Sequence, residues 1–295
     1  MAGHRFFTLD VFTNTRLAGN PLAVVLDADD LDSAKMQTIA GEFNLSETVF
    51  VRAPTRPGIR AGVRIFTPAH EMPFAGHPLI GTAALLALSA NEPAFSLEAS
   101  IGEIACSTQR LGEDLARARF ALPKPATSVA GGPNREAIAR ALSLAPEEIG
   151  WGPHPPSRFD AGARFDCIPV RDLAVLAKAA PQRPEFDRVF APPAGLVYLY
   201  TPGGEGAMHW RSRMFAPGYG VPEDPATGSA AAAFTGVLEA FGALQNGENS
   251  VLIDQGVEMG RPSRLNLDLT VQNGKLQAAY LSGEAVIMSE GRLRL

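Results

Sequence analysis

Glu47, His77, Asp224 and Ser229 are the side chains whose surroundings in the sequence suit chemistry on a small acid. His77 follows Gly76, Ser229 follows Gly228, and Asp224 stands just upstream of the second pair. Each glycine introduces an almost wholly apolar segment of helical character, so each pair occupies a helix start bare of side-chain bulk. Such a start presents unpaired N–H groups and the positive end of the helix dipole, a natural seat for a carboxylate or phosphate. Glu47 lies between Leu45 and Thr48-Val49-Phe50, flanks that read as buried. A carboxyl in an apolar wall has a raised pKa suited to moving protons near neutrality, so a single Glu can act as base and then as acid. The plainer reading of the same residue is a solvated charge at a strand start.

The two helix starts belong to a longer repeat. Arg64 to Leu88 and Arg213 to Leu238 align Arg64 with Arg213, Phe66 with Phe215, Pro68 with Pro217, Pro73 with Pro222 and, after a short slip, Gly76 with Gly228. Two anion-ready starts in one chain point to one small anionic ligand held between pseudo-equivalent halves. A duplication preserving only packing explains the Pro/Gly punctuation equally well, but it has no need of His77, Ser229 or Asp224.

Composition bounds the rest. At 295 residues, 46% hydrophobic and 19% charged, the chain holds two globular domains of ordinary size. A formal charge of -5 from 26 basic and 31 acidic residues, without a basic cluster, argues against a nucleic-acid partner. Asp10 interrupts the N-terminal stretch before any signal-length apolar run, and no segment approaches a membrane span, so a cytoplasmic protein with no membrane partner is expected. Cys106 and Cys167 lie far apart and outside every motif, as two small buried residues would. His70, Glu71 and His77 do not form a zinc helix because Pro73 and Gly76 break it, so no metal is expected. His4, His154 and His209 stand alone as surface or satisfied histidines.

The elements that must position these groups are mostly strands. Phe6 to Val11 and Leu22 to Leu26 read as strands joined through the Gly19-Asn20-Pro21 turn. Met36, Ile39, Ala40 and Phe43 follow helical spacing, capped by Asp32 or Ser33 and ending near Asn44. Thr48 to Arg52 returns to strand, leaving Leu45-Ser46-Glu47 at the junction. The helices Pro78 to Leu88 and Ser229 to Phe241 lack a polar face and must be surrounded. Their predicted neighbours are strands at Phe95 to Leu97, Glu103 to Ser107 and Arg117 to Ala121, then at Leu196 to Tyr200, Val251 to Asp254, Arg264 to Thr270 and Lys275 to Ala279. Each half becomes a curved sheet wrapped around one helix, with Leu122 to Pro133 as the linker.

GNPLAVV, NLSETVFV, TPAHEMPFAGHPLIGTA, EDPATGSA and QGVEMGRPS occur in this order over essentially the whole chain. As a set they resemble the PhzF family, named for phenazine biosynthesis. The resemblance implies an α+β, diaminopimelate-epimerase-like fold: two pseudo-symmetric barrels, each closed around a central α-helix, with the active site in the cleft between. It implies domains at 1–122 plus 280–295 and at 123–279, with Ala285 to Leu295 returning to the first. A homodimer, no cofactor and a small anionic substrate are also implied. By position, Glu47 in NLSET would be the acid/base, while His77 and Asp224 would hydrogen-bond the substrate's amine and hydroxyl. Gly76, Gly228 and Ser229 would bind substrate, the last two holding its carboxylate. Ser46, Asn20, Gln255 and Gly256 resemble residues that shape the cleft. In the phenazine enzyme the substrate is trans-2,3-dihydro-3-hydroxyanthranilate, isomerised to a ketone.

Related racemases use one cysteine from each half. The positions in question here hold Gly76-His77 and Gly228-Ser229, which cannot replace thiolate bases, so a one-base isomerisation is expected. An epimerase-like enzyme with another substrate, or a non-catalytic binder in which Glu47 pairs with an ammonium group, remains an alternative. A hydrolytic Ser229 is weaker, because TGSAA is not the GxSxG elbow.

Overall fold

The computed structural model describes residues 3–90, 92–190, 195–204, 206, 208–242 and 244–295. The chain divides into two units, residues up to Ala121 with Ser282–Leu295, and Leu122–Leu281.

In the first unit the strands are β1 (His4–Val11), β2 (Asn20–Val25), β3 (Glu47–Arg52), β4 (Ala61–Phe66), β5 (Glu71–Met72), β6 (Ala94–Ala99), β7 (Gly102–Arg110) and β8 (Leu115–Ala121). Around the wall, β1/β2 pair antiparallel, β2/β3 parallel, β3/β4 antiparallel, β4/β6 parallel, and β6/β7 and β7/β8 antiparallel. The C-terminal strand pairs with both β1 and β8, which closes an eight-stranded barrel without free edges. Helix α1 (Ser33–Phe43) lies outside, with Met36, Ile39 and Ala40 packed on Val25, Phe50 and Phe66. Its cap is Asp32, whose carboxylate accepts from the Lys35 N–H at 2.8 Å, and it stops where Asn44 turns left-handed. Helix α2 (Gly76–Ala90) fills the barrel and is buried on every side from Gly76 to Ala87. A Cβ at Gly81 would sit 2.5 Å from Leu22 Cδ2 and 2.7 Å from Val11 Cγ2, so helix and wall approach as closely as they do only because the residue is glycine.

The second unit carries β9 (Thr127–Ser128), β10 (Ser157–Asp160), β11 (Arg164–Pro169), β12 (Val197–Pro202), β13 (His209–Ala216), β14 (Val221–Asp224), β15 (Gly247–Gln255), β16 (Ser263–Gln272) and the start of β17 (Lys275–Leu293), the C-terminal strand. From β10 to β11, β12, β13, β15 and β16 the pairings run antiparallel, parallel, antiparallel, parallel, antiparallel. Asn273 and Gly274, both at positive φ, then turn β16 into β17. This is the succession of the first unit repeated. Short helices α3 (Arg135–Ala141), α4 (Leu173–Lys178) and α5 (Glu185–Val189) cover one face through Ile138, Leu176 and Phe186, packed on Val197, Leu199 and Phe215. Helix α6 (Gly228–Ala240) takes the place of α2 and meets Tyr198, Tyr200 and Trp210 through Phe234.

The repeat also explains its own arginines. Arg64 forks onto Glu71 at 2.7 and 2.6 Å and lies over Phe66, while Arg213 forks onto Glu223 at 2.8 and 2.8 Å and lies over Phe215. Each pair pins β5 or β14 to its neighbouring strand just ahead of the central helix, so these shared residues are scaffold. Several details depart from the sequence reading, and α3, α4 and α5 have no counterpart in it. α2 and α6 begin at Gly76 and Gly228 rather than at Pro78 and Ser229, and Glu47 is itself the first residue of β3. The expected linker contains β9, and the hairpin β10/β11 has no counterpart among the predicted strands.

Candidate active site

The first unit holds Asn20, Ser46, Glu47, Gly76 and His77 of the expected residues. Glu47 opens β3 opposite Leu22 of the parallel strand β2, and Asn20 opens β2 fully buried. Gly19, at φ 66, makes the turn into Asn20; a Cβ there would collide with the Val11 carbonyl and Thr13, so the turn is fixed by packing. His77, second residue of α2, places Nδ1 3.2 Å from Glu47 Oε2 and 3.5 Å from Asn20 Nδ2. Burial pushes His77 down to about 3, against a smaller opposing pull from the Pro21 backbone, so the ring is neutral at ordinary pH.

A neutral ring beside a carboxyl group constrains where protons sit. Nδ1 faces Glu47 Oε2 at ion-pair distance, while Asn20 Nδ2, which can only donate, offers it a hydrogen. A neutral His77 therefore stands beside the Glu47 carboxyl group without adding a charge. Gly76 is buried at the same helix start, Ser46 is half-buried directly before Glu47, and Leu45, expected to be buried, is half-exposed.

The second unit gathers another set. Asp224 ends β14, 9% exposed, and accepts from Thr227 Oγ1 through Oδ2 at 2.5 Å. Gln255, fully buried at the end of β15, donates through Nε2 to the Asp224 carbonyl at 2.8 Å and to Thr227 Oγ1 at 3.0 Å. Its Oε1 accepts from the Thr227 N–H at 3.3 Å. Gly256 has φ 73, and a Cβ there would lie 2.6 Å from the Pro225 carbonyl, so this glycine lets β15 end against the Pro225 turn. Gly228 and half-buried Ser229 begin α6 immediately after Thr227. Thr227 is the residue the sequence reading did not single out. Its signal was the spacing Asp224-x-x-Thr227, which favours a local side-chain bond across a turn.

Register shows where the two units differ. Thr48 pairs with Phe66 and Val197 with Phe215, and these phenylalanines correspond in the repeat. Glu47 therefore corresponds to Leu196. Ala23 pairs with Thr48 and Asp166 with Val197, which makes Ala163 the counterpart of Asn20. Neither counterpart is polar, so the carboxyl group at this position belongs to one copy of a duplicated scaffold. Cys106 and Cys167 are buried in β7 and β11, and burial pushes the Cys106 thiol up to about 12 and Cys167 higher still, so both stay as thiols.

Other candidates resolve structurally. His154 is buried with Nδ1 3.1 Å from Tyr200 Oη, His209 Nε2 lies 2.8 Å from Asp254 Oδ2, and His4 Nε2 lies 3.4 Å from Asp30 Oδ1. Among the described residues no His, Cys, Asp and Glu side chains are gathered as a metal site would require, and no helix is long and apolar enough to cross a membrane.

Comparison with known proteins agrees with this architecture. The sequence profile of the family described as phenazine biosynthesis-like protein, PhzC-PhzF, matches residues 9–291. An uncharacterized isomerase of Mesorhizobium japonicum is 45% identical, covering 99% of both chains. The trans-2,3-dihydro-3-hydroxyanthranilate isomerase of Pseudomonas aeruginosa is 34% identical over 99% of this chain and 100% of its own. A PhzF-family phenazine biosynthesis protein of Bacillus anthracis superposes with a TM-score of 0.88 at 24% identity, covering all of both chains. The closed barrel around a helix is the diaminopimelate-epimerase-like fold that the motifs implied. The protein is an enzyme, an isomerase belonging to the PhzF family.

Proposed function

We propose that this isomerase transfers a proton within trans-2,3-dihydro-3-hydroxyanthranilate or a closely related small amino or hydroxy acid, using Glu47 as its one base. The observation that carries the reading is the pairing of Glu47 with a buried, neutral His77 at 3.2 Å, in a scaffold whose second copy has Leu196 instead. The 34% identity to an enzyme named for that substrate sets its chemical class.

In this mechanism the Glu47 carboxylate takes the proton from C3, the tetrahedral carbon bearing the hydroxyl. The C3–H electron pair enters the ring diene, the double bonds shift, and C1 receives the proton back from Glu47. The C3 enol then becomes the ketone by ordinary tautomerisation, so atoms and electrons balance without a redox partner. His77 orients Glu47 and bonds a polar substituent. Asp224 accepts from the substrate amine or hydroxyl, while Gly228 and Ser229 hold its carboxylate at the positive end of α6. Gly76, Ser46 and Asn20 contribute to binding, and the enzyme works as a homodimer without metal or cofactor, as the family resemblance implies.

The test is incubation of the purified protein with trans-2,3-dihydro-3-hydroxyanthranilate in deuterium oxide. Loss of the diene absorbance is expected, with the hydrogen lost from C3 found at C1 of the product. An untouched substrate, across this compound and its close analogues, would overturn the reading.

A further inference from the structure

The Thr227 hydroxyl has one hydrogen to give, and its surroundings decide where that hydrogen goes. Gln255 Nε2 has two hydrogens, one directed at the Asp224 carbonyl at 2.8 Å and one at Thr227 Oγ1 at 3.0 Å. The opposite amide orientation would set Nε2 against the Thr227 N–H and Oε1 against a carbonyl oxygen, leaving two like groups face to face. The amide is therefore fixed, and Thr227 Oγ1 already accepts from it. The remaining hydroxyl hydrogen must point to Asp224 Oδ2, 2.5 Å away. Gln255 is fully buried, which keeps water from competing for any of these bonds.

We propose that Gln255 and Thr227 are positioning residues that orient Asp224 and hold it as a carboxylate, one oxygen committed to Thr227, so that it receives a cationic or hydroxyl group of the substrate. The inference deepens the function proposed above and rests on it for the substrate, although the hydrogen-bond chain itself does not. A bond donated to the charged form of a carboxylate favours that form. A carboxylate with one oxygen fixed also keeps a single rotamer for its substrate partner. Gln255 acts one step further back, since its amide is what denies Thr227 any other direction for its hydrogen.

The experiment follows the Asp224 carboxyl carbon by 13C NMR titration in the full-length protein, the signal being assigned from its loss in Asp224→Asn. Thr227→Val keeps the side-chain shape without the hydroxyl, and Thr227→Ser keeps the hydroxyl. The Asp224 midpoint is expected to rise by about one pH unit in Thr227→Val and to return to the wild-type value in Thr227→Ser. Gln255→Glu removes the amide donor and offers Thr227 a competing carboxylate, so the midpoint should rise there too. On trans-2,3-dihydro-3-hydroxyanthranilate, Thr227→Val should lose about tenfold in kcat with KM little changed, and the acid limb of its pH profile should move upward. An unshifted Asp224 midpoint in Thr227→Val, or an equal shift in Thr227→Ser, would overturn the proposal. If Thr227→Val does not fold, the wild type decides by hydrogen exchange, because a Thr227 hydroxyl exchanging as fast as a solvent-exposed one is incompatible with the arrangement. A wild type inactive on this compound would refute the assigned substrate alone, since the titration needs none.

Discussion

Glu47 and His77 stand 30 residues apart in sequence and begin different elements, yet His77 Nδ1 reaches to 3.2 Å from Glu47 Oε2. The contact exists because β3 and α2 both start at the same end of the first barrel. Replacing Glu47 by Gln keeps the shape beside His77 and removes the ability to carry a proton. Turnover is expected to fall by about 10²- to 10⁴-fold with substrate binding largely retained. Steady-state kinetics and equilibrium binding of the same variant check both halves, and near-normal turnover would end the one-base mechanism.

His77 also links stability to pH. Its ordinary value of 6.5 holds in the unfolded chain, and burial lowers it to about 3 in the folded one. Between these values the unfolded state binds the proton more tightly, so stability is present in full above pH 6.5 and is lost as pH falls toward 3. Urea unfolding at pH 7 and pH 4.5 is expected to show about 2–3 kcal/mol more acid destabilisation in the wild type than in His77→Gln. Equal losses in the two proteins would show that His77 does not stay neutral.

The two arginine forks should differ in weight. Arg213 is 8% exposed, and its Nη1 also donates to the carbonyls of Leu176, Ala177 and Ala179. Arg213→Ala leaves Glu223 and these carbonyls unpaired, so a loss of about 3–5 kcal/mol is expected by chemical denaturation. Arg64→Ala, in a more exposed pair, should cost about 1 kcal/mol or less. A reversed order would contradict the burial seen here.

Gly256→Ala combines an unfavourable positive φ with a Cβ 2.5 Å from the Arg261 carbonyl and 2.6 Å from that of Pro225. A loss of about 1–3 kcal/mol is expected, together with reduced kcat/KM, because relief of the contact displaces the turn leading into Thr227. Thermal unfolding with parallel kinetics tests this; a variant fully stable and fully active would show that the turn tolerates the shift.

Activity is expected to survive exhaustive dialysis against a chelator, since the proposed one-base transfer calls only for Glu47 and hydrogen-bond partners. Elemental analysis before and after dialysis makes the result decisive. A stoichiometric metal lost together with activity would refute cofactor independence.

The sequence by itself determined the parts governed by local pattern. Two helices apolar on every side had to be enclosed, and the strands around Phe6, Leu22, Thr48 and Val251 followed from short apolar runs bounded by turns. The hairpin β10/β11 escaped because its wall carries charge: Arg158 and Asp166, only 2.8 Å apart and largely buried as a pair, interrupt the apolar alternation that marks a strand. Only the tertiary structure could show the pair's mutual neutralisation. The same limit applies to the site. Glu47, His77, Asp224 and Gln255 stood out as residue types in motifs, but the bonds that give them chemistry join residues distant in sequence, such as Gln255 and Thr227, 28 positions apart. Strand register and the closure of each sheet around its helix decide which distant side chains meet, and a neutral His77 follows from burial that no neighbouring residue in the sequence reveals.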